Sequence, residues 1–457
     1  ATVERLTSLR MPDSLRHRLP LDRYYMLRTD DTLLTATQLK ELIGPSRVEY
    51  VEPNYRLEFF EFPTDSLFPH QWYLHNTGQW YYGIDRVTGD FNDSLLLKHG
   101  VAGIDNGLTP LYQTPPAETT KVVVAIVDSG TDLFHPELVG QLWHNDDEIP
   151  SNGIDDDHNG FVDDTIGYDV SGDSLDLFNP VGDNDPTDVV GHGTHVAGIV
   201  AAAENGFGVV GIAPNAEIMS VKIRPNATTA VGAAGIMYAV IAGADVINLS
   251  WGTQFESLVL KDAIDFARAN GVFVCASSGN SGDNQRFYPA AFDSVFTVGA
   301  SDSRGFVTYF STYGAHLDLV APGLDILSLR AAGTDMFAAA NEPGVRIIGP
   351  DSLFYLSDGT SMSCPMVAGA AALIKSIRPE LSASEIADLL RRGASDVVDP
   401  FDDGSSYPGP DTLSGWGRLN VAGSLSLLTQ GSAHIVAPRP RERHTGPTNI
   451  RIAGIGD

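Results

Sequence analysis

Residues 121–130 read KVVVAIVDSG, a β-branched apolar run that ends in an aspartate, a serine and a glycine. Such a run is typical of a strand that is buried on both faces of a sheet. A carboxylate that closes a buried strand is costly to desolvate unless a partner hydrogen-bonds it. We therefore expect Asp128 to face a partner such as a histidine.

Short apolar runs of the same kind recur along the chain. Further apolar runs are EIMSVKIR (217–224), ADVINLSWG (244–252), VFVCASSGN (272–280), VFTVGAS (295–301) and LDLVAPG (317–323). Helical patterns lie between several of them: THVAGIVAAAEN (194–205), VGAAGIMYAVIAG (231–243) and ESLVLKDAIDFARANG (256–271). Alternating strands and helices predict an α/β fold with a doubly wound, mostly parallel sheet. Its functional site is expected at the carboxyl ends of the strands.

Composition narrows the possible partners. The 457 residues predict a large domain with a smaller one, and the formal net charge of −29 argues against nucleic acid or an anionic membrane as a partner. No apolar run is long enough to predict a membrane span. The two cysteines, Cys275 and Cys364, are predicted to be buried thiols without a disulfide framework.

Two helix starts carry further reactive groups. His192 lies between glycines at the start of GHGTHVAGIVAAA (191–203), and Ser361 lies at the start of SDGTSMSCPMVAGAAALIKSI (357–377). The second stretch taken alone is explained better by helix capping, since serine is a preferred cap. With Asp128, however, the chain supplies the nucleophile, base and orienting carboxylate of a serine hydrolase. We interpret the neighbouring His195 as structural.

Asn280 supplies a fourth group. It follows the run VFVCASSGN, where it reads alone as a turn residue. Beside the other three side chains it is a candidate donor to a developing oxyanion, together with the backbone N–H of Ser361. The order Asp, His, Ser differs from that of the α/β-hydrolases, and the G-x-S-x-G elbow is missing.

Five blocks resemble the subtilisin-like serine proteases: VVVAIVDSGTDLFHPEL (122–138), GHGTHVAGIVAA (191–202), ADVINLSWG (244–252), CASSGN (275–280) and GTSMSCPMVAGAAAL (359–373). The likeness covers about residues 121–428. It implies catalytic roles for Asp128, His192, Ser361 and Asn280. Ser363 and Cys364 depart from the residues that commonly follow the nucleophile in this family, a change that affects packing behind it.

The resemblance also implies a substrate cleft. Substrate would pair as an added strand with two segments and reach a specificity pocket near Phe287, which we expect to shorten that pocket. The resemblance implies that the bond between Tyr288 and Pro289 is cis. The implied substrate-binding residues are Ser250, Trp251, Gly252, Ser277, Ser278, Gly279 and Phe287.

An acidic region points to calcium. No Lys or Arg occurs between His144 and Val190, and DDDHNGFVDD (155–164) has half the spacing of an EF-hand loop. Ile166 stands where that loop needs a bidentate glutamate, so either Asp164 substitutes or the geometry differs. The alternative is a solvated acidic loop. The candidate ligands are Asp155, Asp157, Asn159, Asp163 and Asp164, with a second cluster of Asp183, Asp185 and Asp188.

The resemblance divides the chain into four parts. Residues 1–62 resemble an inhibitory α+β prodomain without its beginning, with strands at 23–29 and 47–55 and a helix at 35–44. Residues 63–120 form an extension without an assigned role, 121–429 the catalytic domain, and 430–457 a linker or truncated region. The prodomain would inhibit its own enzyme until self-cleavage between about Phe59 and Asp65. An ordinary accessory domain is the alternative.

These features predict a secreted or cell-surface serine endopeptidase. The chain begins at Ala1 without an apolar signal core, so we expect that a targeting segment was removed or that the sequence is a fragment. Two alternatives remain open. One is a calcium-stabilised binding module on an inactive protease scaffold, and the other is a transpeptidase that uses the same triad.

Overall fold

The computed structural model describes residues 2–5, 25–28, 62–85, 94–113, 116, 119–172, 182–336, 346–398, 406–429, 433–435 and 452–454. The chain divides into two compact units, Ala1–Phe59 and Phe60–Asp457. In the first unit, β1 (Thr2–Arg5) pairs antiparallel with β2 (Tyr25–Arg28), which falls within the predicted strand 23–29. The predicted helix 35–44 and strand 47–55 lie outside the described residues.

The second unit contains the remaining elements. Its strands are β3 (Trp80–Asp85), β4 (Ser94–His99), β5 (Val123–Asp128), β6 (Gly167–Asp169), β7 (Glu217–Lys222), β8 (Val246–Leu249), β9 (Phe273–Ser277), β10 (Phe296–Ser301), β11 (Leu319–Pro322), β12 (Ile326–Leu329), β13 (Ile347–Ile348), β14 (Phe354–Ser357), β15 (Ala433–Ile435) and β16 (Ile452–Gly454). Its helices are α1 (Thr109–Gln113), α2 (His192–Ala201), α3 (Thr229–Ile241), α4 (Leu258–Ala269), α5 (Thr360–Ile377), α6 (Ala383–Gly393) and α7 (Val421–Thr429).

The central sheet has seven strands in the order β11-β10-β9-β8-β5-β7-β6. Every pairing within it is parallel. The six predicted strands are all present, and β6 adds an edge strand that the sequence analysis did not identify. The predicted α/β class with a mostly parallel sheet is confirmed.

Alternate residues of β5 point to opposite sides of the sheet, as the period of a strand requires. Val124 and Ile126 belong to a core that includes residues of α2 and α5. Ala125 and Val127 belong to a second core with residues of α3 and α4. Helices therefore cover both faces of the sheet, which is why the strand is apolar at every position before Asp128. This is the doubly wound arrangement.

The extension 63–120 contributes to the first of these cores. Trp72, Tyr73 and Leu74 are fully buried. The Tyr73 hydroxyl donates to the carbonyl oxygen of Leu327 at 2.7 Å, in the three-stranded antiparallel sheet β12-β14-β13. Farther along the extension, β3 and β4 form an antiparallel hairpin. The extension is thus part of the folded second unit.

Helix ends follow the expected signals. Ser382 caps α6: its hydroxyl accepts from the N–H of Glu385, and the Glu385 carboxylate accepts from the N–H of Ser382, which completes a capping box. Among the helices in the described parts of the chain, none combines the length and apolar character of a membrane span.

Candidate active site

Asp128 and His192 meet at the carboxyl end of β5. Asp128 is the last residue of that strand, and His192 is the first residue of α2. The Nδ1 atom of His192 lies 2.8 Å from Oδ1 of Asp128. The same oxygen accepts a hydrogen bond from the backbone N–H of Ser129 at 2.7 Å. The buried carboxylate therefore faces a histidine, as the strand end predicted.

Gly193 explains how α2 comes so close to β5. A Cβ atom at this position would lie 2.1 Å from the carbonyl oxygen of Gly130 and 3.2 Å from the Cβ atom of Asp128. Any larger residue would push the helix away from the strand. The glycine after His192 is therefore needed for the contact between imidazole and carboxylate.

The protein shifts the pKa values of the two histidines of α2 in opposite directions. Burial lowers the pKa of His192, but the charge and hydrogen bond of Asp128 and the charge of Asp188 outweigh it and raise this pKa overall. Burial lowers the pKa of His195 to about 3, and its Nε2 atom lies 3.1 Å from the carbonyl oxygen of Tyr355. His195 is thus a neutral, buried structural residue, as expected.

Asp188, one of the predicted calcium ligands, supports the start of α2 through both of its side-chain oxygens. Its Oδ1 atom accepts from the backbone N–H groups of Val190 and Gly191, both at 2.8 Å, and from the Ser129 hydroxyl at 2.9 Å. Its Oδ2 atom accepts from the N–H and hydroxyl of Thr194, at 3.0 and 2.7 Å. Both oxygens are engaged within the protein.

Ser361 is the second residue of α5, where backbone N–H groups have no partner within the helix. Its hydroxyl donates to the carbonyl oxygen of Ser250 at 3.0 Å, and the Ser250 hydroxyl donates to the carbonyl oxygen of Ser361 at 2.9 Å. Within the described residues, no hydrogen bond joins Ser361 to His192. To donate to the imidazole, the Ser361 hydroxyl would have to give up its hydrogen bond to the Ser250 carbonyl oxygen.

Thr360 fixes the orientation of Asn280. The backbone N–H and the hydroxyl of Thr360 both donate to Oδ1 of Asn280, at 2.9 and 3.0 Å. Because these donors occupy the oxygen, the Nδ2 donor of the exposed Asn280 is left for a substrate. The sequence analysis missed Thr360. The signal was a hydroxyl residue directly before the candidate nucleophile.

The predicted substrate segments follow β8 and β9. Gly252 is exposed, Trp251 and Gly279 are partly exposed, and Ser250 and Ser277 are almost fully buried. The Trp251 indole donates to the carbonyl oxygen of Val127 at 2.7 Å.

Ser278 has a different position from the one expected. It is fully buried, with its N–H bonded to the Val298 carbonyl at 2.9 Å and its hydroxyl to the Thr312 carbonyl at 2.8 Å. Its N–H and hydroxyl are therefore engaged within the protein, and a substrate contact at Ser278 stays a prediction.

Phe287 packs between the two glycines of these segments. A Cβ atom on Gly279 would lie 2.6 Å from Cδ2 of Phe287, and one on Gly252 would lie 3.4 Å from its Cβ atom. The bond between Tyr288 and Pro289 that follows is cis, as the resemblance implied. The aromatic ring therefore fills space beside Gly279, and the Cβ atom of Phe287 lies beside Gly252.

Among the described residues of the acidic region, one cluster fits a cation. Ligand oxygens of Glu148, Asp157 and Asp164 all lie within 4.8 Å of one another. The Nδ2 groups of Asn145 and Asn159 each donate to both Asp157 and Asp164. Burial raises the pKa of Asp164. Glu148 was missed, although it ends the acidic run NDDE (145–148), a short distance before the predicted loop 155–164.

The other predicted ligands have different contacts. Asp155 accepts from the N–H groups of residues 159 and 160, and Asp163 from those of residues 152 and 153. Asp183 accepts from the N–H of Asp185, and Asp185 from Thr187. No ligand cluster in the described ranges includes these four residues. The EF-hand spacing thus does not predict which side chains converge.

Asp65 and Glu137 form a second buried acidic pair. Asp65 accepts from the N–H groups of Asn205 and Gly206, and Glu137 accepts from the Asn205 amide at 3.2 Å. Oδ2 of Asp65 and Oε1 of Glu137 are buried without a hydrogen-bond partner in the described structure. Burial and the charge of Asp65 raise the pKa of Glu137 to about 8.

The two cysteines are buried free thiols, as predicted. Cys364 lies one turn after Ser361 on α5, and the Sγ atom of Cys275 lies 3.8 Å from the Cys364 carbonyl oxygen. They pack behind the serine and do not enter the cleft.

Comparison with known proteins identifies relatives of the chain. It is 40% identical to subtilisin DY of Bacillus licheniformis over 227 residues, which are 48% of this chain and 76% of the relative. It is 31% identical to a cell wall-associated protease of Bacillus subtilis over 405 residues, 83% of this chain and 37% of that protein. A solved protease structure from Pseudoalteromonas arctica covers 80% of this chain and 99% of its own, with 26% identity and a TM-score of 0.59.

Fold and relatives together define the class of the protein as a serine endopeptidase. The subtilase family profile matches residues 119–417, so the chain belongs to the subtilase family.

Proposed function

We propose that the chain hydrolyses peptide bonds through Asp128, His192 and Ser361. The observation that carries this proposal is the 2.8 Å contact between His192 and the buried Asp128, because it orients the imidazole as a base. The Ser361 hydroxyl rotates from the Ser250 carbonyl to His192, loses its proton to Nε2, and attacks the carbonyl carbon of the substrate.

The negative charge on the substrate oxygen is then stabilised by donors that are already oriented. Nδ2 of Asn280, held by Thr360, and the N–H of Ser361 at the start of α5 are the proposed donors. His192 returns its proton to the leaving amine as the peptide bond breaks. Water then gives a proton to His192 and attacks the acyl-enzyme, which releases the carboxylic acid and restores Ser361.

The proposed substrate contacts are Trp251, Gly252 and Gly279, with Ser250 and Ser277 beneath them. An extended peptide would form backbone hydrogen bonds to these segments, which gives affinity with little sequence demand. Phe287 limits the depth of the adjoining pocket, so we infer a preference for small or medium side chains before the cleaved bond.

Calcium is the cofactor that the acidic residues fit. Glu148, Asp157 and Asp164 offer the hard oxygen ligands that calcium takes, in a region without Lys or Arg. A divalent cation would offset the repulsion between them and the cost of burying Asp164. The unpartnered oxygens of Asp65 and Glu137 fit a second cation for the same reason. Calcium in these places would stabilise surface loops and take no part in the reaction.

Residues 1–62 are proposed to be an inhibitory prodomain that the enzyme removes from itself. The separate compact unit Ala1–Phe59 supports this proposal. Asp65 and Leu67 are hydrogen-bonded to the loop 205–208. A cut before Asp65 would therefore leave the new N-terminal segment attached to the folded second unit. The need to restrain a protease until it leaves its producing cell favours a secreted or cell-surface enzyme.

One pair of proteins tests the mechanism. The full chain and its Ser361→Ala variant are expressed with calcium, and N-terminal processing and casein digestion are followed. We expect the parent to process itself between about residues 59 and 65 and to digest casein, and the variant to do neither. A variant that matures and digests casein as the parent does would end the proposal.

A further inference from the structure

Asp325 has an unusual backbone conformation near the candidate nucleophile. It precedes β12 with a φ of 56°, in the left-handed region that residues other than glycine seldom adopt. It is also almost fully buried. Such a conformation persists where the surrounding contacts fix it, and it is found often at functional sites.

On one side, Asp325 is held by the N-terminal extension. Its Oδ1 atom accepts from the backbone N–H of Ile84 at 2.9 Å, and its Oδ2 atom accepts from Nζ of Lys98 at 2.9 Å. Its carbonyl oxygen accepts from the Trp72 indole at 3.3 Å. Both strands of the hairpin β3-β4 therefore contact this one residue.

On the other side, the turn at residues 323–325 holds the segment that leads into α5. The N–H of Asp325 donates to Oδ1 of Asp358 at 2.7 Å, and the carbonyl oxygen of Gly323 accepts from the N–H of Gly359 at 2.8 Å. Arg346 pairs with the second oxygen of Asp358 at 2.9 Å. Ser361 follows Gly359 after a single residue, so the turn lies next to the start of the catalytic helix.

We propose that Lys98 and Asp325 are positioning residues for the reaction at Ser361. The ion pair holds the turn at residues 323–325 in its left-handed conformation. The hydrogen bonds of that turn then hold Asp358 and Gly359, which lead into the helix that carries Ser361. Neither residue touches the substrate. This inference rests on the proposed role of Ser361 as the nucleophile, and it assigns a role to the hairpin of the extension.

The burial of the pair makes Lys98 important. The Asp325 side chain is 1% exposed and that of Lys98 is 30% exposed. Removing the ammonium group would leave the buried Asp325 carboxylate without this cationic partner. Because an uncompensated buried charge is costly, we expect the carboxylate to shift or to draw in water. Either response disturbs the turn, and small displacements of a nucleophile reduce the rate strongly.

The test compares Lys98→Met and Lys98→Arg with Lys121→Met in the full chain. Lys121 is the control because it forms an ion pair with Glu217 on the surface. The Lys121 side chain is 75% exposed, and neither residue belongs to the segment that carries Ser361. The concentration of active enzyme is measured by titrating the reactive serine with a sulfonyl fluoride, and kcat is calculated per active site. We expect Lys98→Met to lower kcat about threefold to tenfold with KM changed less than twofold. Lys98→Arg should retain most of the activity, and Lys121→Met all of it.

If the Lys98→Met variant yields too little active enzyme for kinetics, a second measurement tests the positioning role. In the Ser361→Ala background, where self-digestion is absent under the proposed function, hydrogen exchange is followed at residues 354–362. Lys98→Met should speed this exchange and Lys121→Met should not.

The outcomes separate this inference from the proposed function. Equal kcat in Lys98→Met and Lys121→Met, or equal exchange at residues 354–362, would overturn the positioning role alone. Casein digestion by the Ser361→Ala chain would instead overturn the proposed mechanism.

Discussion

Thr360 donates two hydrogen bonds to the side-chain oxygen of Asn280, and it is the chain neighbour of Ser361. The residue before the candidate nucleophile therefore sets which end of the amide faces the cleft. The hydroxyl of Thr360 also accepts from the N–H of Gly279 at 3.2 Å. One side chain thus connects the serine, the candidate oxyanion donor and a substrate segment.

Thr360→Val keeps the shape of this side chain and removes its hydroxyl. Because one hydrogen bond to Asn280 remains, we expect kcat to fall only about fivefold, which corresponds to the net value of roughly 1 kcal/mol for a hydrogen bond. Asn280→Ala should cost roughly 10²–10³-fold. The double variant should be no slower than Asn280→Ala. If the two losses multiply instead, Thr360 does not act through Asn280.

Asp188→Asn tests the electrostatics of His192. The base must be neutral, so kcat/KM falls as pH drops through the pKa of His192. Since Asp188 helps to raise that pKa, its neutralisation should lower the pKa and move the acidic limb of the pH profile to lower pH. The melting temperature should also fall, because the amide cannot accept from Thr194 as the carboxylate does.

Asp185→Asn is the matched control for this experiment. Asp185 lies in the same loop, is exposed and bonds to Thr187. Its variant should leave the acidic limb where it is. An unmoved limb in Asp188→Asn would show that this carboxylate does not act on His192.

Removal of calcium should lower the melting temperature. A cation present at about 100 times its Kd contributes about 2.7 kcal/mol, which for a domain of this size corresponds to roughly 3–4 °C per site. Scanning calorimetry in calcium and in chelator measures the difference. The variants Asp157→Asn and Glu137→Gln should each reduce it, while Asp185→Asn should not. Identical curves in calcium and chelator would refute the proposed sites.

Phe287→Ala should widen the proposed specificity pocket. The ring packs beside Gly279, while the Cβ atom of Phe287 lies near Gly252, so removal of the ring opens space along Gly279. We expect kcat/KM for peptides with a large aromatic residue before the cleaved bond to rise at least about tenfold relative to peptides with alanine there. Phe255→Ala, which removes an exposed ring, is the control. An unchanged ratio would place the pocket elsewhere.

The sheet and the meeting of Asp128 with His192 could be predicted because each rests on a local signal. The apolar run before Asp128 requires burial on both faces, and parallel strands bring their carboxyl ends to one edge. Ser361 at the start of α5 follows from the same topology. The structure agrees with these expectations where the chain is described.

The acidic residues were harder to assign because carboxylates at similar spacing have different partners. Asp188 and Asp157 look alike in the sequence, yet the first is saturated by the start of α2 and the second belongs to the cluster with Glu148 and Asp164. Loop conformation decides between these outcomes. The contact of Lys98 with Asp325 spans more than 200 residues and has no sequence signal at all.

The bond from the Ser361 hydroxyl to the Ser250 carbonyl has a kinetic consequence. Under the proposed mechanism, each cycle must begin with a reorientation of this hydroxyl, and side-chain rotations of accessible residues take picoseconds to nanoseconds. Turnover in enzymes commonly takes milliseconds to a second. The hydrogen bond to the Ser250 carbonyl is therefore compatible with fast turnover, because breaking it is many orders of magnitude faster than a typical catalytic cycle.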